Sequence, residues 1–176
     1  MPRFAVVDSE VLIAAHDGEL LPAEILAEAF FYLRMGAYIP SITPTVGHEL
    51  IDGVEHEADP AIVSVLSEIN AQIGHGAIYY PTLNPMGAKS DSEGVINGHA
   101  GMAAEELFEK GLVHDKNIAL IIAEAACIPA EIVIFSEDVA NSLDNKAINK
   151  VLVIRDLSAV KITHPMGVIE MFSRKP

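Results

Sequence analysis

Ile132-Val133-Ile134-Phe135-Ser136-Glu137-Asp138 gives the clearest indication of how this chain folds. Its four apolar residues, mostly β-branched, predict a strand, and the polar residues after them predict its end and a short helix from Glu137. In open α/β folds, ligands bind beyond the carboxyl ends of parallel strands. Asp138 therefore stands where a functional carboxylate is expected.

The same alternation of short strand and helix extends along the whole chain. Further strands are predicted at 3–7, 37–39, 77–80 and 151–154, and helices are predicted to begin at Glu10, Pro22, Pro44, Pro60, Gly101 and Asp115, with a last helix from Pro165. This order predicts an α/β protein with a mainly parallel central sheet. Residues 83–98, rich in Gly, Ser and Asn, are predicted to be a loop or insertion within a single domain of residues 1–176.

Charge is distributed unevenly. The net charge is −14, no Lys or Arg occurs between Met35 and Ala88, and eight of the eleven basic residues lie from Lys110 onward. A strongly acidic chain is poorly suited to holding nucleic acid by its phosphates alone. Contacts with phosphates are therefore expected from the C-terminal half, from metal ions or from a partner chain.

Cysteine content and hydropathy predict a cytoplasmic protein with no membrane span. The one cysteine, Cys127, cannot form an internal disulfide, in keeping with a reducing compartment. The most apolar stretch, 118–128, is broken by Glu124 and is too short to cross a bilayer. The apolar fraction of 51% nevertheless predicts an exposed apolar patch and a homo-oligomer.

Four acidic residues stand at positions where chemistry is expected. Asp8 follows the first strand, Asp138 follows the strand at 132–135, Asp115 opens a helix, and Glu49 lies among apolar residues of another helix. Each aspartate has the alternative role of a helix cap. A carboxylate that faces the core, as predicted for Glu49, needs a partner or a cation.

Brought together, these carboxylates would repel one another unless a cation neutralised them. Oxygen ligands without Cys or paired His favour Mg²⁺ or Mn²⁺ over zinc. Such a site lowers the pKa of a bound water and stabilises charge on a phosphodiester during displacement.

The acids also lie in stretches that resemble the motifs of PIN domains. Ala5-Val6-Val7-Asp8-Ser9-Glu10-Val11-Leu12 resembles the opening strand that ends in Asp-Thr-Asn-x-Leu, and Ser41-Ile42-Thr43-Pro44-Thr45-Val46-Gly47-His48-Glu49-Leu50 resembles the helix with an inward Glu. Asp115-Lys116-Asn117-Ile118-Ala119-Leu120-Ile121-Ile122-Ala123 resembles the third motif, and 132–138 resembles the strand ending in Ser/Thr-x-Asp. Residues 151–154 resemble the closing strand.

This resemblance implies a three-layer α/β/α sandwich and an endoribonuclease that cleaves RNA with Mg²⁺ or Mn²⁺. It also implies which side chains bind the metal and carry catalysis: Asp8, Glu49, Asp115 and Asp138. Toxin nucleases of toxin–antitoxin pairs belong to the family, so a basic antitoxin-like protein is an expected partner.

Three neighbouring residues have open roles. By resemblance, Ser136 supports the site with its hydroxyl, the alternative being a cap of the following helix. Glu10 stands where the family usually has Asn, and is either a fifth acid of the site or a sign of altered activity. Glu137 is an alternative to Asp138, which the Ser-x-Asp spacing favours.

Other functions fit the sequence less well. His48-Glu49-Leu50-Ile51-Asp52 has Asp52 where a zinc protease needs a second histidine, and no glycine-rich phosphate loop occurs. The main alternative is an inactive PIN-like interaction or scaffold protein, suggested by Glu10, the segment 83–98 and the charge. Another α/β hydrolytic or phosphotransfer fold with acids at strand ends is the third alternative.

Overall fold

A computed structural model of the protein describes residues 3–16, 20–55, 91–128 and 130–174. Strands and helices alternate within these ranges. Their order is β1 (Arg3–Val7), α1 (Ser9–His16), α2 (Leu20–Met35), β2 (Tyr38–Ser41), α3 (Pro44–Glu55), α4 (Asp91–Glu109), α5 (Lys116–Cys127), β3 (Ile132–Ile134), α6 (Glu137–Ser142), α7 (Asn145–Ile154), β4 (Lys161–Thr163) and α8 (Pro165–Ser173).

The four described strands form one sheet in the order β2-β1-β3-β4, and every neighbouring pair is parallel. Val6 is the register partner of Ser41 on one side and of Val133 on the other. Because parallel strands share one direction, their carboxyl ends lie along the same edge of the sheet. That edge collects the residues that follow β1, β2 and β3.

Helices cover both faces of the sheet. Ala5, Val6 and Val7 are all fully buried, and so are Val133 and Ile134. Successive side chains of a strand point to opposite faces, so burial of consecutive residues requires cover on both sides. Helix α2 packs against α8 and α4 packs against α5. The predicted α/β fold with a mainly parallel sheet flanked by helices is confirmed.

The predicted closing strand at 151–154 is wrong, because these residues end helix α7. Ile148, Val151 and Leu152 are buried, whereas Val153 and Ile154 are exposed. This is the three-four spacing of one helical face rather than the alternation of a strand. The Asp144 side chain caps the helix by accepting a hydrogen bond from the Ala147 amide at 3.0 Å.

The last described strand is β4, which follows α7 and pairs with β3 through the register partners Val133 and Ile162. Asn149 holds the intervening turn. Its side-chain amide donates to the Val160 carbonyl at 2.7 Å, and its side-chain oxygen accepts from the Val160 amide at 2.8 Å. The last described strand of the sheet is therefore Lys161–Thr163, not residues 151–154 as the sequence predicted.

The segment predicted as a loop or insertion, 83–98, is helical over 91–98, where α4 begins. Residues 83–90 lie outside the described residues, as do the predicted helix from Pro60 and the predicted strand at 77–80. In the ranges that the structure describes, no helix is both long and apolar enough to cross a membrane.

Candidate functional site

Asp8 lies at the carboxyl end of the central strand. Its backbone amide donates a hydrogen bond to the Ile134 carbonyl at 3.0 Å, which extends the ladder between β1 and β3 by one residue. Its own carbonyl accepts from the Leu12 amide at 3.3 Å and so starts α1. The residue is only 4% exposed. The fold therefore places this buried carboxylate at the edge of the sheet where ligands are expected.

The environment of Asp8 disfavours its charge. Burial, together with the charges of Glu49 and Glu10, raises the pKa of this carboxyl to about 7, against hydrogen bonds from the Ser9 and Glu10 backbone amides that lower it. An ordinary aspartate has a pKa near 4. Asp8, Glu10 and Glu49 therefore form a like-charged group around a buried carboxylate.

Glu49 connects three helices. The Ser9 hydroxyl, in the first turn of α1, donates a hydrogen bond to Oε2 of Glu49. The side-chain amide of Asn117, in the first turn of α5, donates to Oε1 at 3.0 Å. Both oxygens of the carboxylate are thus held by neutral donors.

The start of α3, which carries Glu49, is fixed by α5. The buried Glu124 carboxylate accepts hydrogen bonds from the Thr45 backbone amide at 3.1 Å and from the Thr45 hydroxyl at 2.8 Å. The Thr43 hydroxyl accepts from the Val46 amide at 3.4 Å. Together these bonds satisfy amides that a helix start leaves without partners. Thr43 thus begins the helix at the predicted position.

Asp115 immediately precedes α5. Its side chain accepts a hydrogen bond from the Ile118 amide at 3.0 Å, so the helix-cap role is observed. Asp115 is exposed and lies two residues before Asn117, which contacts Glu49. It therefore lies at the same end of the sheet as Glu49, with a carboxylate already engaged by its own helix.

Asp138 and Glu137 are exposed in the first turn of α6, directly after β3. Because β3 neighbours β1, this turn begins at the same sheet edge as Asp8. Ser136 occupies the N-cap position of α6. In the described part of the chain, its side chain makes no capping hydrogen bond.

The structure thus brings together part of the predicted acidic site. The charges of Glu10 and Glu49 act on Asp8, whereas Asp115 and Asp138 lie at the starts of α5 and α6. Within the ranges given above, no three His, Cys, Asp or Glu side chains are arranged so that they would hold a metal ion. The fit to a divalent cation rests on Asp8 and Glu49, since a cation would offset both the burial and the like charge.

A polar cluster at the opposite end of the sheet provides a contrast. Arg3 Nε donates to Glu131 Oε1 at 2.9 Å, and the Tyr38 hydroxyl donates to Glu131 Oε2 at 2.9 Å. The Arg3 guanidinium and the Tyr38 hydroxyl lower the pKa of Glu131. In this cluster the positive charge of Arg3 balances the negative charge of Glu131. At Asp8 the nearby charges are those of further carboxylates.

Sequence reasoning missed three residues that organise the site: Ser9, Asn117 and Glu124. Glu124 had a visible signal, since it interrupts the most apolar stretch of the chain. Ser9 and Asn117 lie inside the motif stretches, but nothing in the sequence distinguishes their side chains from those of ordinary first-turn residues. Their contacts with Glu49 span 40 and 68 residues and depend on the fold.

No family model and no curated protein sequence matches this chain. Among solved structures, the chain is similar to a chain in the crystal structure of VapBC2 from Rickettsia felis bound to a DNA fragment from their promoter, with a TM-score of 0.54 and 13% identity over 90% of this chain and 96% of that one. At this identity the similarity shows the fold alone, and the chain has a PIN-like α/β fold.

Proposed function

We propose that the protein is a metal-dependent ribonuclease that cleaves RNA phosphodiester bonds with Mg²⁺ or Mn²⁺. The observation that carries the proposal is the buried Asp8 carboxylate, whose pKa is raised to about 7 by burial and by Glu49 and Glu10. A group that is difficult to ionise alone becomes a good ligand once a divalent cation occupies the site.

In this proposal Asp8 and Glu49 are the main metal ligands, and Asp115 and Asp138 complete the set from the starts of α5 and α6. When bound, the ion supplies Lewis-acid activation of a phosphodiester and of a water. Ser9 and Asn117 orient Glu49. Ser136, which heads α6, is the proposed supporting hydroxyl next to Asp138.

The acidity of the chain restricts how RNA binds. With a net charge of −14, phosphate contacts are left to local lysines. Lys116 is exposed in the first turn of α5 beside Asn117, and its Nζ lies 5.2 Å from the centre of the Phe108 ring. We expect Lys116 to contact the backbone of the substrate, so that Lys116→Ala weakens RNA binding and lowers its dependence on salt.

Cleavage by the full chain tests the activity. Purified protein is incubated with single-stranded and structured RNA in Mn²⁺, in Mg²⁺ and in EDTA, beside Asp8→Asn. Metal-dependent cleavage that Asp8→Asn reduces at least 100-fold supports the proposal. Equal cleavage by both proteins, which would indicate a contaminating nuclease, or no cleavage by either contradicts it.

A protein partner is proposed from the resemblance to a family that includes toxins of toxin–antitoxin pairs, and from the similarity to a chain of VapBC2, which is bound to a DNA fragment from their promoter. We expect a small basic, amphipathic protein, because its charge complements this acidic chain. A neighbouring gene for such a protein, whose product co-purifies with this chain, supports the partner. The predicted homo-oligomer is tested by light scattering, and a monomeric mass at high concentration contradicts it.

The second candidate function is a PIN-like interaction or scaffold protein without catalysis. Glu10 favours it, because its charge adds to that of Glu49 at Asp8 where the family usually has a neutral Asn. Calorimetric titration with Mn²⁺ separates the two candidates. Micromolar binding favours the nuclease, whereas absence of binding favours the scaffold.

A further inference from the structure

We propose that Asn117 is a positioning residue that, together with Ser9, holds the Glu49 carboxylate in the orientation needed to share a cation with Asp8. The inference deepens the proposed function and rests on it. It assigns to the first turn of α5 a role beyond carrying Asp115.

The contacts of Glu49 support this role. One carboxylate oxygen accepts from the Ser9 hydroxyl and the other from Asn117 Nδ2 at 3.0 Å, so the plane of the carboxylate is set by donors from two different helices. Ser9 directly follows Asp8 in the chain, which ties the orientation of Glu49 to the carboxylate it must face. Hydrogen bonds to metal-ligating carboxylates commonly orient them in this way.

The chemistry of the two donors is as informative as their position. A hydroxyl and a carboxamide are neutral, so they fix the carboxylate without supplying positive charge. A lysine or arginine at either place would neutralise Glu49 and compete with a cation. The cluster at the other end of the sheet shows that alternative, because Glu131 is held there by Arg3 at 2.6 Å.

Helix α5 contacts α3 at two separate points. Asn117 holds Glu49, and Glu124 holds the Thr45 amide and hydroxyl. Glu124 follows Asn117 by seven positions, or about 10 Å of helix, and Glu49 follows Thr45 by four positions, or about 6 Å. Two contacts so spaced oppose rotation of α3 about its axis, and so keep Glu49 against Ser9, the residue that follows Asp8.

The two contacts differ in burial, and this separates positioning from folding. The Glu124 contact is buried, whereas the Asn117 contact is exposed. An exposed hydrogen bond adds little to stability, since water replaces it on unfolding. Loss of the Asn117 amide is therefore expected to leave the fold intact and to disturb the site.

Calorimetric titration of the full chain with Mn²⁺ tests the inference. Four proteins are compared: wild type, Asn117→Ala, Asn117→Gln, which keeps the amide on a longer side chain, and Asn141→Ala, which makes the same change at an exposed position of α6. We expect Asn117→Ala to weaken Mn²⁺ binding about 10- to 100-fold. Asn117→Gln should recover part of the loss, and Asn141→Ala should bind as the wild type does.

Thermal unfolding of the same proteins in EDTA separates positioning from folding. We expect the melting temperature of Asn117→Ala to stay within about 3 °C of the wild type. Binding by Asn117→Ala within twofold of a wild type that does bind Mn²⁺ overturns the inference and leaves the proposed function standing. A large fall in melting temperature that accounts for the lost binding also overturns it, because the role is then structural.

A metal-free measurement keeps the inference testable if the wild type fails to bind Mn²⁺, a result that counts against the proposed function instead. Urea midpoints in EDTA are measured for Glu49→Ala, Asn117→Ala and the double variant. Non-additive shifts support a direct hold of Asn117 on Glu49. If the shifts in the urea midpoint are additive, Asn117 does not hold Glu49 and the inference is overturned, whatever the function of the site.

Discussion

Glu124 lies in α5 with its carboxylate against the first turn of α3, where it accepts hydrogen bonds from both the amide and the hydroxyl of Thr45, 79 residues earlier in the chain. A side chain that interrupts an apolar helix face thus supplies two acceptors to a helix start that has donors to satisfy. The negative charge is also well placed at the positive end of the α3 dipole. This contact sets the direction of the helix that carries Glu49.

Glu124→Ala is expected to lower the free energy of unfolding by about 2–4 kcal/mol, because it leaves the buried Thr45 amide and hydroxyl without acceptors. Urea denaturation measures the change. Thr45→Val keeps the backbone bond and removes only the hydroxyl, and should lower the free energy by about 1 kcal/mol. Equal stability of Glu124→Ala and wild type would contradict the assigned role.

The metal-free protein should lose stability as pH rises, through Asp8. Its pKa is raised from 3.8 to about 7. Between these values the folded chain retains a proton that the unfolded chain has released, so the contribution of Asp8 to stability falls from about pH 4 to pH 7 and is constant above that. A shift of this size corresponds to about 4 kcal/mol.

Urea denaturation in EDTA at several pH values, for wild type and Asp8→Asn, measures this contribution. Asn carries no charge, so the variant should become progressively more stable than the wild type towards pH 8. The difference between the two proteins isolates Asp8 from the other carboxylates. A difference that does not change with pH would show that Asp8 titrates normally.

Addition of Mn²⁺ should restore the stability that the folded protein loses when Asp8 ionises. A cation that binds only the folded chain stabilises it by about 2.7 kcal/mol at a concentration 100 times its dissociation constant. The wild type should therefore gain stability at pH 8 in Mn²⁺, followed by thermal unfolding, and Asp8→Asn should gain little. Equal gains in both proteins would place the bound cation elsewhere.

Two substitutions of Asp115 distinguish its role as a helix cap from its proposed role as a metal ligand. Asp115→Asn retains a side-chain oxygen for the Ile118 amide, so stability should change by less than about 0.5 kcal/mol while Mn²⁺-dependent RNA cleavage falls. Asp115→Ala removes the cap as well and should lower the free energy of unfolding by about 1 kcal/mol. Full cleavage by Asp115→Asn would restrict this residue to capping.

Gly167 lies where there is no space for a methyl group. A Cβ at this position would overlap Oγ1 of Thr163, which is buried at the end of β4. We expect Gly167→Ala to lower the free energy of unfolding by about 1–3 kcal/mol, despite the better helix propensity of alanine. Adding Thr163→Ala should recover most of the loss relative to Thr163→Ala alone. Calorimetric melting of the four proteins completes the cycle.

The sequence predicted the central elements well because their signals are local. The apolar run before Asp8 and the β-branched run before Ser136 each mark a strand, and Thr43-Pro44 marks a helix start. The strand predicted at 151–154 was wrong for the opposite reason. Four consecutive apolar residues are compatible with a strand or with a helix. Which of them are buried depends on tertiary packing, which here buries one face of a helix.

The acidic site was predictable only in part. Asp8 and Glu49 were predicted from their positions after a strand and inside an apolar helix, and the charge of Glu49 raises the pKa of Asp8. The donors that hold Glu49 could not be identified, because hydrogen bonds across 40 and 68 residues leave no periodic pattern in a sequence. Whether Asp115 and Asp138 bind a cation remains a prediction for the experiments above.

The strand order has a consequence for biosynthesis. β1 pairs with β2 about 35 positions later, but its other neighbour, β3, lies 127 positions away, as in the pair Ala5 and Ile132. During translation β1 therefore remains unpaired on one side until Ile132 and the rest of β3 have been synthesised. Such distant pairing slows folding and exposes a strand that other chains can join. Nascent chains that stop before Ile132 should consequently aggregate or recruit chaperones.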